Sequence, residues 1–169
     1  MKVFLLGLPG SGKTTLGRKL AAALQLPFVD LDKEIERTEG KPIPEIFSEK
    51  KEDYFRKLES AELKKWCYRP DDFVMATGGG APCFFDNIDV INQSGKSIFL
   101  DVPPSEIVRR MSRAGVEKRP LLAASGRDGL KDHIEFMRSN RITYYKKATF
   151  TFTGAVIQVE DMVAALTKS

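Results

Sequence analysis

Gly7-Leu8-Pro9-Gly10-Ser11-Gly12-Lys13-Thr14 is the stretch on which the fold turns. Its spacing is G-x-x-x-x-G-K-S/T. A chain that wraps a phosphate must turn successive backbone N–H groups inward, through torsions that glycine adopts most easily. A helix starting near Lys13 adds its positive dipole end to that cradle. Lys13 then bridges the β- and γ-phosphates of a nucleoside triphosphate, and the Thr14 hydroxyl ligates Mg²⁺. With ordinary glycine, lysine and Ser/Thr usage, a chance match in a chain this long is on the order of one in a hundred or less. The motif calls for a triphosphate but does not name the group that receives the phosphate.

The sequence around the loop alternates between two patterns. Before it, Val3–Leu6 is a short apolar run, read as a parallel strand buried on both faces. Gly7 and Pro9 interrupt that run, and Lys13 and Arg18 follow without a small-residue cleavage site, so it is not read as a signal peptide. After the loop, Leu16, Leu20 and Leu24 recur at four-residue spacing and predict a helix over Lys13–Leu24. Further strands are predicted at Phe28–Leu31, Phe73–Thr77, Ser97–Val102 and Ala148–Phe152. Helices are predicted at Asp32–Thr38 (ended by Gly40), Glu52–Trp66, Ile88–Gln93, Ser105–Met111, from Leu130 to about Tyr145, and at Asp161–Thr167. Arg113–Gly126 has no clean period and reads as a mobile loop. Strand and helix in alternation imply a three-layer α/β/α arrangement around a parallel sheet of about five strands. Ligands in such folds sit beyond the carboxyl ends of the strands.

Composition bounds the rest. The chain has 169 residues, 42% hydrophobic and 30% charged, with a net charge of +4. That fits one globular domain over 1–169, and it argues against disorder and against a membrane span. The basic residues are spread along the chain, which argues against a nucleic-acid partner. Cys67 and Cys83 have neither CxxC spacing nor a neighbouring histidine, and lone His133 completes no metal set, so both cysteines read as free thiols in a reducing compartment.

The strand ends hold the candidates for the acceptor side. Asp30 and Asp32 close the second strand. Asp32 either caps the next helix or faces the cleft, where a carboxylate can orient an acceptor hydroxyl and take its proton. Gly78, Gly79 and Gly80 directly follow a buried strand, which suggests a close approach to the backbone. Arg56 and Arg141 read either as solvated helix charges or as anion-reading groups. Arg119, in Arg119-Pro120-Leu121-Leu122, reads as surface loop or as the arginine of a closing lid.

Taken together these pieces resemble the shikimate kinase family, within the nucleoside monophosphate kinase group of P-loop folds. The resemblance is carried by GLPGSGKTTLGRKLA at 7–21, FVDLDKEIE at 28–36, the G-x-x-I-x-E-I-F pattern at 40–47, FRKLE at 55–59, ATGGGA at 76–81, RPLL at 119–122 and R-x-x-Y from Arg141 to Tyr144. It implies a P-loop kinase fold with an acceptor-binding region at about 32–61 and a mobile lid at about 112–126. It implies transfer of the ATP γ-phosphate to the 3-hydroxyl of shikimate, by a cytoplasmic monomer with Mg²⁺. Gly10, Ser11, Gly12, Lys13, Thr14 and Thr15 would hold the ATP phosphates, with Thr14 on the metal and Asp30 acting on it through water. Asp32 would be the base, with Lys13 and Arg119 as the other catalytic groups. Arg56 and Arg141 would pair with the shikimate carboxylate, and Gly78, Gly79 and Gly80 would lie beside the substrate. Arg113 would lie against the adenine. A bidentate guanidinium suits a carboxylate, in keeping with this assignment. The rivals are a kinase of the same fold acting on gluconate or a nucleoside monophosphate, and a nucleotide-dependent binding module without a small acceptor.

Overall fold

The structure is a computed structural model and describes residues 1–113 and 126–168. Among the described residues five strands form one parallel sheet in the order β2-β3-β1-β4-β5, with β1 (Lys2–Leu6) at its centre. Strand β2 is Phe28–Asp30, β3 Phe73–Ala76, β4 Lys96–Asp101 and β5 Phe150–Thr153. The helices are α1 (Lys13–Leu24), α2 (Leu31–Glu39), α3 (Ile43–Cys67), α4 (Asn87–Ser94), α5 (Pro104–Arg113), α6 (Gly126–Tyr145) and α7 (Val159–Lys168).

The apolar run of β1 is continuous because both of its faces are covered. Val3 and Leu5 pack with Leu20 and Ala21 of α1 and Met162 and Leu166 of α7. Phe4 and Leu6 face the other way, into a cluster that includes Phe55 and Leu63 of α3, Ile91 of α4, Ile107 of α5 and Ile134 of α6. Side chains alternate across a strand, so a single apolar run feeds both layers. Each fully buried side chain of this kind contributes about 1.5–3 kcal/mol relative to exposure. The sheet brings the carboxyl ends of β1, β2 and β3 together at one edge, and the loops after those strands carry the polar residues singled out above.

The structure decides one open alternative and corrects two expectations. The cap of α2 is Asp30, not Asp32. The Asp30 carboxylate accepts the N–H groups of Asp32 at 3.1 Å and Lys33 at 3.4 Å, which leaves Asp32 inside the first turn. The strand β5 starts at Phe150 rather than Ala148, because Lys146, Lys147 and Ala148 are still hydrogen-bonded to the last turn of α6. The long charged helix begins at Ile43 rather than Glu52, with Pro42 before it and a break at Lys51.

That break generates a prediction. Lys51 sits at φ 71° and ψ 172°, a region that L-residues other than glycine pay to occupy. Glycine inside a helix normally costs up to about 1 kcal/mol relative to alanine. Here the sign reverses: Lys51→Gly is expected to stabilise the protein by about 1 kcal/mol. Urea unfolding of the two proteins measures it, and an unchanged or lower midpoint counts against the strained break.

Candidate active site

The loop Gly7–Thr14 leads directly from β1 into α1. Gly12 occupies the N-cap position of α1 with φ 95°, and neither a side-chain cap nor an acidic residue stands in the first turn. The leading N–H groups of the helix are therefore left to an anion. Lys13 is buried, and its ammonium bends back to donate to the carbonyls of Gly7 at 2.7 Å and Leu8 at 3.0 Å. Thr14 and Thr15 are exposed at the mouth. Gly10, Gly12, Lys13, Thr14 and Thr15 line a cavity that Asp32, Thr77, Gly78 and Gly79 close from the other side. Ser11 does not line it: its side chain is buried and its N–H donates to Leu8 O at 3.1 Å.

A second cavity adjoins the first and shares Pro9, Asp32, Gly78 and Gly79 with it. Arg56 and Arg141 both line this second space, together with Gly80, Glu59, Phe47 and Phe55. The two arginines lie far apart in the chain, on α3 and α6, and the fold brings them to one cavity, as the resemblance implied.

The three glycines make that meeting possible. A methyl group built on Gly80 would lie 2.6 Å from Arg56 Nη1, and one on Gly79 would lie 2.8 Å from Arg141 Nη1. A methyl group on Gly78 would lie 2.9 Å from Glu59 Oε2 and 3.0 Å from Asp32 Oδ1. Each glycine therefore yields its side-chain space to one charged neighbour or pair.

The two guanidinium groups are held differently. Arg56 donates to the buried Glu59 carboxylate at 2.9 Å, and its guanidinium lies 4.2 Å from the centre of the Phe84 ring. Arg141 Nη1 is buried with no hydrogen-bond partner. An unpaired buried donor of that kind is costly until an acceptor arrives. Burial raises the Glu59 and Asp32 carboxyls above their ordinary range, Asp30 adding to the effect on Asp32. Burial lowers Lys13 to about 8, against the opposing pull of Asp32.

The outer side of the loop opens onto a third cavity, lined by Gly10, Gly12, Thr15, Arg110, Ala155 and Val156 among others. Arg110 spans it, donating to Gly10 O at 3.2 Å and Ala155 O at 2.7 Å. Arg113 is exposed at the end of α5 and does not line this cavity; Arg110, one turn earlier, does. Asp30 does not line the first cavity either, since its Oδ1 is engaged in capping α2. Arg119 and most of the expected lid lie outside the described residues.

Sequence reasoning did not single out Glu59, Phe84 or Tyr145. Glu59 had a usable signal, since a carboxylate three residues after Arg56 shares its helix face. Tyr145 is fully buried and donates its hydroxyl to Gly79 O at 2.5 Å. Nothing in the local pattern marked it or Phe84.

A parallel sheet in the order 2-3-1-4-5, a phosphate-cradling loop after its central strand and an acceptor cleft beside that loop define a P-loop phosphotransferase. Comparison with known proteins narrows the class. The shikimate kinase family model matches residues 9–168. A shikimate kinase of Bacteroides fragilis is 40% identical over 172 residues, covering 99% of this chain and 95% of that protein. The crystal structure of shikimate kinase from Bacteroides thetaiotaomicron is similar with a TM-score of 0.88 at 38% identity, covering 99% of this chain and 97% of that one. Shikimate kinase from Acinetobacter baumannii, in complex with shikimate, is similar with a TM-score of 0.81 at 32% identity, over 99% and 90% of the two chains. The chain belongs to the shikimate kinase family.

The lowered Lys13 predicts a pH dependence in the empty enzyme. Lys13 loses its proton as pH rises through about 8, whereas bound phosphates favour the charged form. ADP affinity is therefore expected to be flat below that pH and to fall above it, approaching about tenfold per pH unit. Calorimetric titration of ADP across this range checks the prediction. A flat profile, or the same slope in Lys13→Met, would show that another group titrates.

Proposed function

We infer that this protein transfers the γ-phosphate of ATP to the 3-hydroxyl of shikimate, giving ADP and shikimate 3-phosphate, a step toward chorismate and the aromatic amino acids. One observation carries the reading. Arg56, Arg141, Asp32 and the three glycines line a single cleft that opens onto the phosphate loop. Shikimate brings one carboxylate and three hydroxyls, and the cleft offers guanidinium groups for the first and an aspartate for the second.

The residue roles follow from what each group can do. The loop N–H groups and the start of α1 hold the ATP phosphates. Lys13 exchanges its two carbonyl acceptors for phosphate oxygens and neutralises charge as the γ-phosphoryl moves. Arg110, which spans the outer cavity beside the loop, is assigned with Arg113 of the same helix end to flank the base of the nucleotide. Arg141 satisfies its unpaired Nη1 on the shikimate carboxylate, and Arg56, oriented by Glu59, supplies the second contact. Asp32 accepts the proton of the 3-hydroxyl as the new O–P bond forms and the bond to ADP breaks. Its raised affinity for a proton suits a general base. Arg119 is assigned the role of lid arginine by resemblance alone. Positioning and charge neutralisation carry most of the rate in reactions of this class.

The donor set fits Mg²⁺. The Thr14 hydroxyl is exposed at the mouth, and oxygen donors with bound phosphates are what a hard cation takes. Among the described residues no group of three acidic, histidine or cysteine side chains forms a metal cage, and a phosphate-bound cation requires none. Thr14 would hold the ion and Asp30 would act through water with its second carboxylate oxygen. The ion would supply neutralisation of charge on the β- and γ-phosphates. No helix among the described residues is long and apolar enough to cross a membrane.

Coupled ADP release over shikimate, gluconate and nucleoside monophosphates tests the substrate, and turnover is expected with shikimate alone. Arg141→Ala is expected to raise KM for shikimate by about tenfold to a hundredfold while KM for ATP stays near its original value. Asp32→Asn is expected to lower kcat by about 10²- to 10⁴-fold with ADP affinity retained. Unimpaired turnover in Asp32→Asn would remove the aspartate from the chemistry.

A further inference from the structure

We propose that Tyr145 is a positioning residue for acceptor binding, tying the Gly79–Gly80 peptide and Arg141 into one register through its hydroxyl. The inference rests on the acceptor site described above. The starting point is that Arg141 Nη1 is buried without a hydrogen-bond partner, while the Arg141 guanidinium lies close enough to the Tyr145 hydroxyl to act on it. Its place is set by α6, by what α6 is tied to and by the neighbouring Tyr145 hydroxyl.

Tyr145 lies four residues after Arg141, one helical turn along the same face. Its ring is fully buried and packs at 4.9 Å against Phe99 of β4, with the planes tilted by 32°. The ring therefore has no freedom to swing. Its hydroxyl donates to Gly79 O at 2.5 Å. A peptide unit is planar and trans, so a Gly79 carbonyl held toward Tyr145 sends the Gly80 N–H in the opposite direction. One hydroxyl thus fixes the rotation of the peptide that borders the acceptor cavity. The same glycine leaves no room between backbone and guanidinium, since a methyl group on Gly79 would stand 2.8 Å from Arg141 Nη1. If α6 moved relative to the glycine segment, Arg141 would move with it. The Tyr145 hydroxyl resists that movement. Burial also raises the phenol above its ordinary range, so it remains a donor at any working pH.

Tyr145→Phe removes the hydroxyl and leaves the ring and its Phe99 contact in place. KM for shikimate is expected to rise about threefold to tenfold, and KM for ATP to change less than about twofold, the loss being that of one buried hydrogen bond. In an Arg141→Ala background the same substitution is expected to have a smaller effect on KM for shikimate, because the residue it positions is gone. Thermal unfolding and ADP affinity of Tyr145→Phe are measured alongside. A shikimate KM matching that of the parent enzyme overturns the proposal. So does a parallel loss of ADP and shikimate affinity, which would mark a general structural role. Full additivity with Arg141→Ala overturns the link through Arg141. If the parent enzyme turns over shikimate and responds to Arg141→Ala, such results remove only the role of Tyr145. If it shows no turnover on shikimate, the acceptor assignment falls and the positioning role falls with it.

Discussion

The site depends on the approach of charged side chains to a backbone that carries none of its own. Gly78, Gly79 and Gly80 stand where β3 ends, and each gives its side-chain space to a group from elsewhere: Asp32 and Glu59, Arg141, and Arg56. None of the three has the left-handed torsion that usually explains a glycine, so the constraint is the close approach rather than the turn. Larger residues would push the arginines outward into solvent, where their hydrogen bonds to an anion are weakened by competing water. Packed against bare peptide, the same groups keep a low-dielectric setting and a fixed spacing, which is the condition under which positioned charge does most for phosphoryl transfer.

The end of β2 separates two tasks that look alike in the sequence. Asp30 and Asp32 are two residues apart, yet the first caps a helix through one carboxylate oxygen and the second lines the cleft. Asp30 satisfies two N–H groups of α2 and so starts that helix at the strand end. The cap turns Asp32 into the first helical turn, where it lines both cavities. Its burial and the nearby Asp30 charge raise its affinity for a proton. A helix cap is thus part of the reason for the properties of the carboxylate beside it. The lysine on the opposite wall responds in the reverse sense, since burial discourages its charge until phosphates arrive.

Much of this was legible from the chain. The strand–loop–helix around Lys13 and the alternation of elements follow from short-range patterns, and the elements appear in the expected order. The triple glycine signalled close approach, and the structure supplies the approaching groups. What could not be read depended on contacts across the sheet. The start of α3 at Ile43 was hidden because Lys51 interrupts the helix in a conformation that the sequence gives no reason to expect at a lysine. The cap of α2 required knowing where β2 stops. Tyr145 and Phe84 act through partners 66 and 28 residues away, respectively Gly79 and Arg56, and no local periodicity reports such pairings. Arg110 and Arg113 occupy one helix end, and only the path of α5 past Gly10 and Ala155 distinguishes them.

The charge balance of the cleft argues for the kind of acceptor it takes. Arg56 is already answered by Glu59, a carboxylate almost wholly removed from solvent. Arg141 has no carboxylate within ion-pairing distance among the described residues, and its Nη1 awaits an acceptor. Asp32 lines this cleft as well as the phosphate cavity, so the two guanidinium groups face two carboxylates, and with Glu59 taken by Arg56 it is Arg141 that is left to receive one anionic group. A monocarboxylate meets that demand. A phosphate monoester would bring close to two negative charges beside Asp32 and Glu59. Phe47 and Phe55 stack at 4.6 Å along the wall, an apolar flank suited to the carbon face of a small ring. Glu59 thus belongs to the charge balance of the cleft as much as the arginines do, because it is the carboxylate that answers Arg56 and leaves Arg141 unanswered.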